Sequence, residues 1–544
     1  GALAAEAAAL PVPAKPALKP RAKRRYVGKA WPRLDMPAKS DGSARFGLDS
    51  FAPGMLYGAV ARPPAYGAKA GSYDEKAALA VEGVRGVFPA GTGVGVVADT
   101  LQAAWKGRDA LAPRWTGGEP GFDDAALEAL LRKTLAGPAL KARDDGDAEG
   151  ALRGARSVIE AEYRLPYLSH VTMEPMNCLA EVRADGCDVW APTQNQSGTQ
   201  AAAAEEAGLP PGKVKVHTTL LGGGFGRRFE TDFVREAVQL SKAAGRPVKV
   251  VWTREDDMGH DFYRPGSLCR IRGGLDAKGR LTALAHKTTA ASIFARVFPA
   301  MLRGGVDNSA VEGVSDTPYA VADLRVEWAR LEAPVPVGFW RSVGNSSNAF
   351  VMESFIDELA HAAGRDPLAF RLELLADKPR SRRLLRLVAH KAGWGRRLPK
   401  GRALGLAHHA SFGSLVATAA EVSVDRKTGA VRVHRLVCGA DCGPVVNVDT
   451  AKAQLEGASL MGLSGALKEE MSFSAGGAAT LNFDSYGLLR MDEAPEVEAF
   501  VVESEGPWGG LGEPGLPPAA PAVANAVFRA CGARLRRLPM TPER

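Results

Sequence analysis

Polar and apolar residues alternate over Lys215–Leu221, the pattern of a strand with one buried face. Phe233, Val234, Ala237, Val238 and Leu240 recur near helical spacing through Thr231–Ala244, which ends at Gly245. Pro247–Trp252 is a second β-branched run. Between the first strand and the helix lies Leu221-Gly222-Gly223-Gly224-Phe225-Gly226-Arg227-Arg228. Its glycines permit backbone angles closed to other residues and let a ligand approach the main chain. A helix N-terminus beside it, with Arg227 and Arg228, favours an anionic or oxo ligand. The competing reading is a tight strand-to-helix turn with no ligand.

The same periodicities predict strands at Leu56–Ala61 and Gly93–Val97, and helices at Glu75–Leu79, Thr100–Leu111 and Asp123–Leu135. Arg143–Gly150 reads as a charged loop at a boundary. Farther on, Ser157–Tyr163 reads as a strand. Hairpins are expected at Cys178–Arg183 with Asp188–Ala191, and at Leu268–Leu275 with Leu281–Thr288, followed by one at Asp323–Leu331. Helices are expected at Thr199–Ala207, Asn348–Ala363, Asp449–Leu467 and Ala519–Ala530, and a hairpin at Ala419–Val424 with Ala430–Val437. Strands and helices are mixed rather than strictly alternating, which makes the fold class α+β with α/β elements. At 544 residues the chain exceeds one ordinary core. The division expected is an arm over 1–25, a small unit over 26–118, a connecting segment over 119–156, and two larger regions over 157–337 and 338–544.

Composition changes this picture little. The net charge of +8 comes from 69 Lys and Arg interspersed with 61 Asp and Glu. The one basic run, Lys15–Arg25, lies in a Pro/Ala-rich stretch and reads as a solvated linker, so no nucleic-acid partner is expected. No apolar run approaches the ~20 residues of a membrane span. The first residue is Gly rather than Met, as in a processed or partial product. The six cysteines include no C-x-x-C pair, which argues against an iron–sulfur or zinc-ribbon site in this chain and for buried thiols.

Several residues could carry chemistry. Glu513 lies in Gly509-Gly510-Leu511-Gly512-Glu513-Pro514-Gly515, too rich in Gly and Pro for a helix or strand interior. A carboxylate on such a loop is either a general base or an incidental surface group. Gln194, in a turn, can donate to an oxo ligand or accept from the main chain. Arg341 pairs either with a carboxylate or with a helix terminus. Gln454 and Glu456 lie on a helix whose Gly457 and Gly462 allow close approach. His170 reads as structural. Gly222–Gly226 begins a G-x-G-x-x-G pattern, but its last position fails and the acidic cluster Glu255–Asp257 lies about 30 residues on, beyond the usual ~20 of a nicotinamide dinucleotide site.

Taken together, Pro32–Ala44, Pro192-Thr193-Gln194-Asn195, Gly222–Arg228, Trp340–Gly344, Asp441-Cys442-Gly443, Gln454–Gly457 and Gly512–Gly515 resemble the molybdenum hydroxylases, the xanthine dehydrogenase/aldehyde oxidase family, nearest the isoquinoline 1-oxidoreductase type of large subunit. The resemblance runs from Tyr26 to Pro539. It implies an α/β hammerhead-like domain over 26–118 and molybdopterin-binding regions over 157–337 and 338–544. It makes Glu513 the catalytic base and Gln194 a contact to the apical ligand of molybdenum. Gly223, Gly224, Phe225, Gly226, Arg227, Gln454 and Gly512 become cofactor contacts, and Arg341 a residue of the substrate pocket. The implied cofactor is molybdenum–molybdopterin, in its cytosine dinucleotide form, held without direct metal ligands from protein side chains. The implied partner is a small [2Fe–2S] subunit. The implied reaction hydroxylates a ring carbon of an N-heteroaromatic, or an aldehyde, with oxygen from water. A bacterial, soluble protein of the periplasm or cytoplasm is implied. The family's second pterin loop, Met-Gly-Gln-Gly, has no match here and is expected upstream of residue 1. Its absence leaves open an alternative, a non-catalytic partner-binding subunit.

Overall fold

The computed structural model describes residues 1–544. Helices and sheets are mixed as expected, and three sheets carry the architecture. The first has seven strands in the order Val214–Thr218, Gly186–Ala191, Asn177–Arg183, Val248–Val251, Leu56–Ala61, Gly93–Ala98 and Val84–Ala90. The helix Asp232–Ala244 lies on it and buries Phe233, Val234, Ala237, Val238 and Leu240, the residues its periodicity marked. This sheet draws strands from two of the expected units. Leu56–Ala61 pairs parallel with Val248–Val251, so the strands of the 26–118 unit and those of the 157–337 region are halves of one sheet. Sequence distance hid the pairing, because a short apolar strand carries no mark of its partner.

The second sheet runs Leu140–Asp145, Asp323–Arg330, Leu281–Ala290, Ser267–Leu275, Ser157–Leu165. Two expectations change here. Arg143–Gly150 is not a boundary loop: its first half belongs to the edge strand Leu140–Asp145, and its second half to the helix Ala148–Gly154. The charges suit a sheet edge, where Arg325 pairs with Asp144 at 2.9 Å and Lys141 with the same carboxylate at 2.6 Å. Asp323–Arg330 runs parallel to Leu281–Ala290 rather than forming a hairpin, the intervening chain crossing over through short helices.

The third sheet is Arg402–Ser411, Ser414–Val424, Val431–Asp441 and Glu496–Val501. The helix Ala519–Cys531 lies on it, close enough that a Cβ on Gly405 would strike the Ala522 carbonyl. Between the second and third sheets runs Asn345–Ala362, with 16 of its 18 residues buried, so it meets protein on every side. Phe350, Phe355, Ile356 and Leu359 from this helix join a core of 50 residues spanning both sheets. Burial of such side chains contributes roughly 1.5–3 kcal/mol each. Its buried Glu353 is satisfied by Arg371 at 2.8 Å, the Tyr319 hydroxyl at 2.5 Å and the His408 N–H at 2.9 Å. This helix fixes the position of the turn that precedes it, and that turn is part of the site. At the other end of the chain, Arg21 pairs with Glu503 and Glu505, so the arm expected over 1–25 is tied down near its end.

Candidate active site

Four chain segments meet at a cavity of about 740 Å³: the glycine loop, the turn Phe339–Val343, the helix Val448–Leu467 near Gln454, and the loop holding Gly512 and Glu513. Gln194 comes to it from the turn before the helix Gln196–Ala207. Of the residues singled out in the sequence, Gln194, Gly223, Gly224, Phe225, Gly226, Arg341, Gln454, Gly512 and Glu513 all line this cavity. Arg227 does not.

The glycine loop needs its glycines at identifiable points. At Gly224 a Cβ would lie 2.5 Å from Gln194 Oε1, and at Gly226, with φ +113°, it would lie 1.5 Å from the Phe339 carbonyl oxygen. The loop therefore closes directly on Gln194 and on the turn beside it. The Gly226 N–H donates to Gln194 Oε1 at 3.2 Å, which leaves the Gln194 amide NH2 group as its free donor. Phe225 is held at φ +55°, a strained angle for a residue with a side chain, and its ring is 37% exposed.

The helix expected over Thr231–Ala244 forms, with Thr231 as its N-cap. A short helical turn, Arg227–Phe229, lies between the glycine loop and this helix, which starts at Asp232. The two arginines are scaffold. Arg227 is buried, donates to both oxygens of Asp232 at 3.0 and 2.7 Å, and lies 3.2 Å from Asp261. Burial opposes its charge, but Asp232 and Asp261 outweigh that and hold its pKa well above the usual value. Asp261 also accepts from the His170 N–H and Ser169 hydroxyl, each at 2.7 Å, and lies 2.8 Å from His170 Nδ1. Burial raises the Asp261 carboxyl, yet His170 and Arg227 bring it down to about 2. Arg228 donates to the carbonyls of Gly223 at 2.7 Å and Glu174 at 2.6 Å, and burial lowers its pKa to about 10. The positive charge read into the loop is thus spent inward, where a buried cation needs partners. His170, with Nε2 2.8 Å from the Phe339 carbonyl, links this scaffold to the next segment.

In that next segment, Arg341 Nε donates to the Gly512 carbonyl at 2.8 Å, and Nη2 donates to Gln454 Oε1 at 3.0 Å. One guanidinium thus joins the turn, the helix and the Glu513 loop. Burial lowers its pKa, and the charge of Glu513 opposes the shift. The Ser342 N–H donates to Glu513 Oε1 at 2.9 Å and the Ser342 hydroxyl to the Glu513 carbonyl at 2.8 Å. Glu513 is therefore held by one oxygen, and the other is free. Ser342 and Val343 adopt φ +74° and +48°. Behind them Glu312 Oε1 accepts from the Gly344 N–H at 2.8 Å. Burial, with Asp316 and Glu513 adding to it, pushes the Glu312 carboxyl up to about 8.

Sequence reasoning missed Ser342, Glu312 and the phenylalanines of the cavity wall, Phe229, Phe298 and Phe339. Phe229 follows the glycine loop closely enough to have been suspected. Phe298 lies in a stretch with no periodicity. Ser342 lies inside the Trp340–Gly344 motif, but nothing in its identity foretells a left-handed backbone or a bond to Glu513.

The donors and acceptors at the cavity are two side-chain amides, one guanidinium, one carboxylate and main-chain groups. No group of three or more His, Cys, Asp or Glu side chains is arranged to hold a metal ion. That set suits a polar organic ligand held through hydrogen bonds. A second cavity of about 460 Å³ shares Phe225 and Arg341 with the first and extends the space along the same helix, past Gly457. No helix is long and apolar enough to cross a membrane.

A family model described as a molybdopterin cofactor-binding domain matches residues 134–375, and a second of the same description matches 391–495. The chain is 36% identical to the membrane-bound aldehyde dehydrogenase [pyrroloquinoline-quinone] of Gluconacetobacter polyoxogenes, over 97% of this chain and 74% of that protein. It is 33% identical to isoquinoline 1-oxidoreductase subunit beta of Brevundimonas diminuta, over 97% of this chain and 69% of that protein. In fold it is similar to quinoline 2-oxidoreductase from Pseudomonas putida 86, with a TM-score of 0.84 at 17% identity, covering 96% of this chain and 98% of that one. The aldehyde oxidoreductase of Desulfovibrio gigas gives 0.80 at 16% identity, covering 96% and 80%.

Proposed function

This chain belongs to the molybdenum hydroxylase family as a molybdopterin-binding large subunit, and we propose that it hydroxylates an N-heteroaromatic ring carbon or an aldehyde with oxygen from water. The observation that supports the reading is the convergence of Gln194, Phe225, Gly226, Arg341, Gln454 and Glu513 on one cavity. When bound, the molybdenum cofactor supplies the two-electron oxidant and the activated oxygen. The chain's own residues do the rest. Glu513 is the base: Ser342 fixes one carboxylate oxygen, and the other is free to take a proton inside the cavity. Gln194, with its oxygen held by the Gly226 N–H, has its NH2 group free and would donate it to the bound cofactor. Gln454, with its oxygen held by Arg341, has its own NH2 group available to the pterin. The main chain of Gly223–Gly226 and Gly512 gives the cofactor close approach, and Arg341 acts by holding Gln454 and Gly512 in place. Arg227 contributes to the loop's shape, not to its charge.

The cytosine dinucleotide form of the cofactor and a small [2Fe–2S] partner complete the proposal. The six free cysteines here are scattered, so electrons would leave through clusters carried elsewhere. The test is analysis of the full-length protein made with its iron–sulfur subunit. Molybdenum, pterin and cytosine nucleotide in equal amounts are expected. A metal-free protein, or one carrying pyrroloquinoline quinone in their place, would overturn the reading.

A further inference from the structure

Phe229, Phe298 and Phe339 line the active cavity, and Phe294 stands against the last two. Phe229 meets Phe339 at 5.4 Å and 84° and Phe298 at 5.9 Å and 73°, both edge-to-face. Phe298 and Phe339 lie 6.2 Å apart with planes inclined at 37°. The two edge-to-face contacts of Phe229 have the geometry that aromatic quadrupoles favour. Phe298 remains 38% exposed, an apolar ring left partly open at the cavity.

These rings come from three separate stretches of chain, and one residue ties the stretches together. Arg296, between Phe294 and Phe298, donates to both oxygens of Glu230 at 2.8 and 2.5 Å and to the Val337 carbonyl at 2.8 Å. Glu230 follows Phe229, and Val337 lies two residues before Phe339. The guanidinium also sits 4.2 Å over the Phe262 ring. The wall is therefore built rather than incidental.

Its charge environment is equally defined. Arg296 is spent on Glu230. Arg341, the one cation lining the cavity, is engaged with Gly512 and Gln454. Glu513 contributes a negative charge, and aromatic faces are themselves negative. A flat neutral ring fits this surface, whereas a carboxylate on that ring would meet negative charge with no free cation.

We propose that this phenylalanine wall is the subsite for the substrate's ring and selects uncharged aromatic or heteroaromatic substrates over the same ring bearing a carboxylate. The proposal rests on the oxidoreductase reading above. The test compares benzaldehyde, 4-carboxybenzaldehyde and acetaldehyde as substrates of the assembled holoenzyme. Benzaldehyde should exceed its carboxylated counterpart in kcat/KM by about tenfold or more. Phe298→Ala, at a partly exposed position, should lower the benzaldehyde-to-acetaldehyde preference about tenfold, the scale expected for losing one ring contact. Equal or better use of 4-carboxybenzaldehyde, or an unchanged preference in the variant, would overturn the proposal. Fluorescence titration with benzamide and benzoate, neither of which needs turnover, separates the two readings. Benzamide binding selectively to a protein that turns over no substrate would sink the oxidoreductase reading and keep the subsite. Benzoate binding as tightly as benzamide would sink the subsite.

Discussion

Glu513→Gln is the substitution that most directly tests the base. Glutamine keeps an oxygen that can accept the Ser342 N–H, now 2.9 Å from Glu513 Oε1. The Ser342 hydroxyl and Arg341 bond to main-chain carbonyls of the same loop, which the substitution leaves alone. The loop should therefore stay in place, and Gly512 and Gln454 with it. What disappears is the free carboxylate oxygen that takes the proton. General acid–base catalysis contributes typically about 10²–10⁴-fold, so kcat should fall by that factor, about 2.7–5.4 kcal/mol at 1.36 kcal/mol per decade. Turnover is read by reduction of an artificial electron acceptor, and molybdenum content by elemental mass spectrometry on the same sample. Full molybdenum with kcat within threefold of wild type would remove Glu513 from the role. Glu513→Asp is a useful second variant, since a carboxylate one methylene shorter retreats from Ser342 and should be impaired although still ionisable.

Other outcomes follow from the same geometry. Arg341→Ala leaves the Gly512 carbonyl and Gln454 without their common partner, so bound molybdenum per protein should fall several-fold; Arg341→Lys should not restore it, because an ammonium cannot reproduce the planar fork that spans both groups. Arg227→Met strands the Asp232 and Asp261 carboxylates and should cost about 3–5 kcal/mol, read as a lower unfolding midpoint; loss of cofactor with an unchanged midpoint would restore the loop's anion-binding charge. Glu312→Gln removes a carboxyl whose pKa is raised from 4.5 to about 8. The folded wild type holds its proton more tightly than the unfolded chain, so its stability relative to the variant should decline between about pH 4.5 and about pH 8, by on the order of 5 kcal/mol, and stay flat above that; a difference that does not change with pH would place the Glu312 carboxyl at its ordinary pKa.

Much of the site could be read from the chain because its parts are local. Glycine at 222–224 and 226, and a carboxylate between Gly512 and Pro514, are signals that need only neighbouring residues. Gln194 and Gln454 became meaningful only as members of an ordered set of motifs. The misreadings were all matters of partnership. Arg227 and Arg228 look like free charge in sequence because Asp232, Asp261 and Glu174 are not recognisable as their partners until the chain folds. The charged run at Arg143–Gly150 looks like a loop until Asp323–Arg330 lies beside it.

By itself the sequence determined the elements, through periodicity and capping, and the order of the motifs that place this chain in its family. Periodicity is a property of neighbouring residues, so it survives without a fold. Only the tertiary structure decided that strands near residue 60 and residue 250 share one sheet, that the loop arginines point inward, and that Ser342 holds one oxygen of Glu513. It also decided that Arg296 gathers phenylalanines from three stretches into one wall. These are long-range contacts whose energy depends on burial and on which charge meets which, and neither is fixed until the core closes.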